Sequence, residues 1–292
     1  YATLFKMLLK PLTFHAPRTV TEAAHLYATL PEARILAGGT FLLNSLKLLK
    51  RKGMKTPAHV ISLRKVEGLK GVSVEQGNLM IRAMTVINDL LVSPLLTDHL
   101  TVLRAVCRNI STNPIRNMAT VGGNLTCRYT WTEMGAVMIA LEARLHFIGA
   151  DGREDIIAAE NFFKNAARSE KIFSHVAVPL DKTASVSYRR VKKSLHVDIP
   201  LLAICVKSNI VDNRFTRTKV AVNNGVSFAQ RDFKLEEFLN QSQCRPGIAQ
   251  EALDHLDAEI YDKRSDDYKK HMFRVSLRNA IQEFVEHNGP ST

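Results

Sequence analysis

The chain has 292 residues, 46% of them hydrophobic, with a net charge of +12. That length supports two or three compact units, and no run of about eighteen apolar residues offers a membrane span. The basic excess is uneven: residues 1–64 hold ten Lys/Arg against two Asp/Glu, and residues 184–292 hold seventeen against fourteen. The basic stretch KLLKRKGMK (47–55) has no interleaved aromatics, which points to a solvated face, an acidic protein partner or an anionic cofactor rather than nucleic acid.

The start, YATLFKMLLKPL, lacks a longer apolar core and a small-residue cleavage site, so a cytoplasmic protein is expected. TVTEAAHLYATL opens with Thr19 three residues before Glu22, a capping-box spacing, and continues with apolar residues at helical period. ARILAGG then reads as a short strand ending in glycines, FLLNSLKLLKRK as a helix and HVISL (59–63) as a second strand. Strand, turn, helix and strand make a βαβ unit and a small N-terminal α/β lobe, 1–64.

A second lobe, 65–183, begins with GVSVEQGNLMIRAMT, two alternating runs joined at EQGN as a hairpin. INDLLVSPLLTDHL is helical, and LTVLRAVCRNIS is an amphipathic helix ended by Asn113 and Pro114. GAVMIALEARLHFIG passes from helix to strand, DGRED turns between strands, and SHVAVPL (174–180) is another strand. From 184 onward SVSYRRVKKS, IPLLAICVKSNIVDN and RFTRTKVAVNNG are strands. The last sixty residues hold two helices, GIAQEALDHLDAEI and DDYKKHMFRVSLRNAIQEFVEH, so 184–292 is a C-terminal α+β domain with an antiparallel sheet.

Two glycine pairs stand out, in RILAGGTF (34–41) and IRNMATVGGN (115–124). Paired glycines at the end of an apolar run admit positive φ and let backbone N–H groups turn toward an anion, most often a phosphate. Thr40 adds a hydroxyl and a following helix start; Thr120 and Asn124 flank the second pair. Neither pair has the spacing of a dinucleotide fingerprint or a P-loop. Arg116 and Asn117 read as braces for their loop, and Trp131 as a core or shielding aromatic. The four cysteines (107, 127, 205, 244) and ten histidines show no metal spacing, and Cys127 reads as a small apolar residue, so no metal ligand and no catalytic base is assigned.

AGGT, then IRNMATVGGN and LEA, with FHAPRTVTEAAHLY, DGREDIIAAENFF and YRRVKKSLHVDIPLL in support, resemble the FAD-binding medium subunit of the molybdenum hydroxylases nearly end to end. These include the xanthine dehydrogenase, carbon monoxide dehydrogenase and aldehyde oxidoreductase types. The resemblance implies an α+β chain: a two-lobed FAD-binding domain of the p-cresol methylhydroxylase type, then the C-terminal domain closing over the flavin. It places Arg34, Ile35, Leu36, Ala37, Gly38, Gly39, Thr40 and Phe41, then Thr120, Val121, Gly122, Gly123 and Asn124, against FAD, with Glu133, Phe173 and Arg190 completing the site. Asn124 and Glu133 would bond the sugar or pyrophosphate region, and Arg190 stands where the family commonly has a lysine near the flavin ring. Phe41 replaces a family acid, Thr130 and Glu133 stand in its Pro-x-x-Asp region, and Arg82 replaces a glycine in the run resembling IGAxT.

The family role is an electron-transfer subunit of an oxidoreductase. A large chain would carry the molybdopterin cofactor, a small chain two [2Fe-2S] clusters, and a soluble acceptor such as NAD would take the electrons. The chain has no cluster cysteines and no cysteine-bearing insertion of the reductase branch. A stand-alone flavin oxidase, which would need a base and a tether, and a flavin-free scaffold or assembly protein are the alternatives.

Overall fold

The computed structural model describes residues 11–127, 129–130, 132–164, 169–192, 194, 199–223, 228–262 and 265–288. Trp131 and the first ten residues lie outside them. Three sheets follow one another along the chain. The first is parallel, in the order β1 (Thr13–His15), β3 (His59–Ser62), β2 (Arg34–Leu36). The expected βαβ unit is present, with helix Leu42–Arg51 as its crossover, and β1 adds a strand that the sequence pattern did not indicate. Helix Val20–Thr29 is capped as its spacing requires, with the Glu22 N–H donating to Thr19 Oγ1.

The second sheet is antiparallel, in the order β4 (Val72–Glu75), β5 (Asn78–Arg82), β8 (Ile172–Pro179), β6 (Arg144–Ile148), β7 (Glu154–Ala158). Gln76 and Gly77, both at positive φ, make the hairpin turn between β4 and β5. Asn113 and Pro114 do not terminate the preceding helix. That helix spans Thr101–Asn109, Ser111 turns the chain at φ 57°, and Pro114 sits in the first turn of a new short helix, Asn113–Arg116.

The third sheet, antiparallel in the order β12 (Gln230–Arg231), β11 (Arg214–Asn223), β10 (Pro200–Val211), β9 (Ala184–Lys192), carries the C-terminal helices. Helix Asp267–Asn288 is continuous, but GIAQEALDHLDAEI breaks into short turns. A helix the sequence reading missed, Phe233–Gln241, starts where Asp232 accepts from the Leu235 N–H.

Three apolar clusters underlie these sheets, and two of them cross between them. Ile172, Met84 and Leu69 from the second segment close the N-terminal core around Ala23, Ala24 and Ile61. Cys205 and Ala221 of the third sheet join the large central core. Such shared burial, at roughly 25 cal/mol per Å² of apolar surface, holds the glycine loops against each other. No helix among the described residues is long and apolar enough to cross a membrane.

Candidate FAD site

The first loop leaves β2 at Leu36 and enters helix Leu42–Arg51 at Phe41. Gly39 has φ +74°, a conformation an L side chain resists. Gly38 is required for another reason: a Cβ there would lie 1.9 Å from the Met118 carbonyl oxygen and 3.0 Å from Ala119 Cα. The first loop therefore presses its backbone directly onto the backbone leading into the second. Phe41 continues the contact, its ring 4.8 Å from that of Tyr129. Phe41 thus ties the first loop to the segment that follows helix Val121–Cys127.

The second pair is built differently from the open turn expected at a strand end. Gly122 and Gly123 lie in the first turn of a helix, Val121–Cys127, and neither has positive φ. Gly122 makes room for strand and core, since a Cβ there would lie 2.7 Å from the Ala83 oxygen and 3.0 Å from the buried Phe173 ring. A Cβ on Gly123 would reach 3.0 Å from Thr120 Oγ1 and 3.7 Å from the Ala37 methyl of the first loop.

Their amides are already used. Val121 N–H donates to the Thr85 oxygen (2.9 Å), Gly122 N–H to Ala83 (2.8 Å), and Asn124 N–H to Thr120 (2.9 Å). Gly123 N–H donates to Thr120 Oγ1 (3.0 Å). The second pair thus does not present the anion nest its sequence suggested, because the IRAMT segment and Thr120 supply the acceptors. Among the described residues the amides of Gly38, Gly39, Thr40 and Phe41 donate to no acceptor. The open donors belong to the first loop, at the start of a ten-residue helix whose partial positive charge favours an anion.

Two buried polar atoms of the second motif have no hydrogen-bond partner, Asn124 Oδ1 and Arg116 Nε. A buried amide left so costs roughly 1–3 kcal/mol unless something donates to it. Arg116 braces the loop instead, its Nη1 donating to the Ser111 and Arg108 oxygens at 3.3 and 3.4 Å. Arg34, Ile35, Leu36, Ala37 and Thr40 are half-buried along the strand and loop, and Thr120 and Val121 are buried.

Glu133 and Arg190 meet where a helix packs against the third sheet. Glu133 opens helix Glu133–Ala140, and Arg190 lies on edge strand β9. Arg190 Nε donates to Glu133 Oε1 at 2.7 Å, with the two side chains only 7% and 6% exposed. The run RRVKK is therefore not a wholly solvated edge. Tyr188, two residues along the same face of β9, donates its hydroxyl to Glu133 Oε2. Burial, then the Glu133 charge, push the Tyr188 hydroxyl well above its usual range, so it remains a donor. Tyr188 was missed from sequence, although the alternation in SVSYRRV put it beside Arg190.

Arg82 donates to Glu75 Oε1 across the hairpin at 3.2 Å, so its side chain is directed along the sheet. The backbone just beyond it still braces the glycine helix through the Ala83 and Thr85 oxygens, and Thr85 is itself fixed by its Oγ1, bonded to both the N–H and the oxygen of Gly71.

Residues 10–181 match the model of the FAD binding domain in molybdopterin dehydrogenase. The chain belongs to this family. Among relatives of the FAD-binding family member, the carbon monoxide dehydrogenase medium chain of Hydrogenophaga pseudoflava is 34% identical over 151 residues, 51% of this chain and 51% of that one. That alignment spans about half of the relative's length. The nicotine 6-hydroxylase medium subunit of Paenarthrobacter nicotinovorans is 27% identical over 96% of both chains. A solved carbon monoxide dehydrogenase from Hydrogenophaga pseudoflava, one lacking the Mo-pyranopterin moiety of its molybdenum cofactor, superposes with a TM-score of 0.85. It is 26% identical and covers 94% of this chain and 98% of that one. Quinoline 2-oxidoreductase from Pseudomonas putida 86 shares the fold at 20% identity and a TM-score of 0.85. The chain therefore carries the FAD binding domain of this family, within the α+β fold that it shares with these solved enzymes.

Proposed function

We propose that the chain is the electron-transfer subunit of a molybdenum hydroxylase, taking electrons from an iron–sulfur partner chain and delivering them through FAD to a soluble acceptor such as NAD. A large chain with the molybdopterin cofactor would select and oxidise the substrate, and a small chain with two [2Fe-2S] clusters would connect the two. The observation that carries this reading is the row of open amides from Gly38 to Phe41, on a loop that packs backbone to backbone against the segment leading to Asn124, whose Oδ1 is buried without a partner. Backbone donors suit the pyrophosphate, and the Asn124 amide suits a sugar hydroxyl.

FAD, when bound, supplies a carrier able to take electrons singly and release them in pairs. The chain's own residues bind and orient it. Gly38, Gly39, Thr40 and Phe41 would hold the anion, Gly123 keeps the approach beside Ala37 open, and Glu133 would position Arg190 from its buried ion pair. Phe41 and Arg82, which could have signalled a flavin-free scaffold, are accommodated by Tyr129 and Glu75. A cytoplasmic setting belongs to the same reading, supported by four cysteines without a disulfide.

The test is the visible spectrum of the purified chain, followed by reconstitution. Flavin bands at one FAD per chain, no substrate turnover alone and turnover restored by both partner chains are expected. A colourless chain that cannot be reconstituted favours the scaffold, and substrate oxidation by the isolated chain favours a stand-alone oxidase.

A further inference from the structure

The sequence spacing assigned no histidine to a metal, yet the fold brings two of them together with a carboxylate. His175 on β8, His146 on β6 and Glu154 on β7 sit on three neighbouring strands, with their ligand atoms all within 4.8 Å of one another. They occupy the face of the second sheet turned away from Phe147 and Phe173, which pack inward against each other.

A β-bulge creates this meeting. His146 pairs with His175, but the next pair is Phe147 with Phe173, which leaves Ser174 as the extra residue on β8. With strict alternation His175 would share the inward face of Phe173; the bulge turns it outward, opposite His146. Ser174 also orients the site. Its hydroxyl donates to the His146 backbone oxygen at 3.0 Å, and its oxygen is 3.0 Å from His175 Nδ1. A hydroxyl has one proton, and it is spent on the carbonyl, so His175 Nδ1–H donates to Ser174 and the Nε2 lone pair is left available. Ligating histidines are commonly held in this way through their second nitrogen.

His146 Nδ1 is buried and makes no hydrogen bond; Glu154 Oε1 lies 3.1 Å away but out of line for one. The two imidazoles stack at 4.0 Å with a 21° tilt, an arrangement unfavourable for two cations. Arg82, in register beside His175, directs its own charge to Glu75.

We propose that His146, His175 and Glu154 bind one divalent transition-metal ion of the zinc type. Two imidazoles and a carboxylate make a three-ligand set with room for water, suited to zinc and its neighbours and poor for calcium or magnesium. Stacked rings aim their lone pairs side by side, so closure on an ion requires one ring to turn. Ser174 holds His175, and His146 is the ring without a hydrogen bond.

The experiment is zinc chloride titration of the chelator-treated full chain by calorimetry, followed by cobalt(II) absorption as a reporter of nitrogen and oxygen ligation. One ion per chain is expected, with affinity lowered at least about tenfold in Glu154→Gln and stoichiometric binding lost in His146→Gln. His15→Gln, which alters the separate His15–His59 contact, should leave binding unchanged. Glu154 is 40% exposed, so its variant decides the matter even where His146→Gln fails to fold. Absence of stoichiometric binding, or an affinity that neither Glu154→Gln nor His146→Gln changes, overturns the proposal. FAD content, measured in parallel, should be the same in Glu154→Gln as in the unaltered chain, which separates this site from the flavin reading.

Discussion

Substituting Gly38 by alanine tests the contact on which the candidate flavin site depends. The added Cβ would stand 1.9 Å from the Met118 oxygen and 2.8 Å from its carbon, both backbone atoms with no rotamer to yield. Ordinary contact begins near 3.4 Å, so one loop must retreat by about 1.5 Å. Overpacking of this kind costs about 3 kcal/mol, at the upper end of the usual range, which is about 6 °C in melting temperature for a chain of this size. Gly53→Ala isolates the other penalty: its φ is +67° and nothing lies within 4 Å, so only backbone strain of about 1 kcal/mol applies. Gly39→Ala combines positive φ with a 3.2 Å approach to the flexible Leu36 side chain and should fall between the two. Calorimetric melting of each variant, with flavin per chain counted by absorbance, gives the order. If Gly38→Ala melts within about 1 °C of the unaltered chain, or no lower than Gly53→Ala, the loops do not meet backbone to backbone and the reasoning fails.

Arg190→Leu should cost about 3–5 kcal/mol in denaturant unfolding, because it leaves Glu133 buried and charged, and adding Glu133→Leu should recover much of that loss. Glu142 and Asp181 meet Lys207, which is buried; burial raises both carboxyls, but Lys207 at Glu142, and Thr183 with Asn209 at Asp181, hold each below its usual value. Depressed carboxyls stabilise the fold above their unfolded pKa and lose that contribution as pH falls through the folded one, so acid unfolding should set in below about pH 4. Lys207→Met should move that onset to higher pH, as followed by circular dichroism. FAD should be released by acid precipitation, since the first loop offers amides and no tethering side chain; flavin remaining with the pellet would show a covalent bond. Neutralising Lys50, Arg51 and Lys52 on the exposed basic end of helix Leu42–Arg51 should slow association with an iron–sulfur partner at low salt and have no effect at high salt. Equal stopped-flow rates at low salt would assign that face to solubility.

Local pattern alone determined a good deal of this molecule. The cap at Thr19, the βαβ unit whose first strand leads into Gly38–Gly39, the EQGN hairpin and the antiparallel C-terminal strands depend on neighbours within a few residues, where periodicity and turn chemistry act directly. The motif IRNMATVGGN likewise marked the segment that packs against the first glycine loop. What local pattern left open was the use made of each glycine. Gly38 is glycine because Met118, eighty residues away, passes over it, and Gly122 because Ala83 and Phe173 close on it. The amides of the second pair are satisfied by the Ala83 oxygen and by Thr120 Oγ1, so of the two pairs only the first is left with open donors. The burial of Arg190 against Glu133, and the bulge at Ser174 that turns His175 toward His146, are equally matters of register and sheet order. A side chain's partners across a sheet are set by which strands pair and where the ladder slips, and these follow from the packing of the whole core rather than from spacing along the chain.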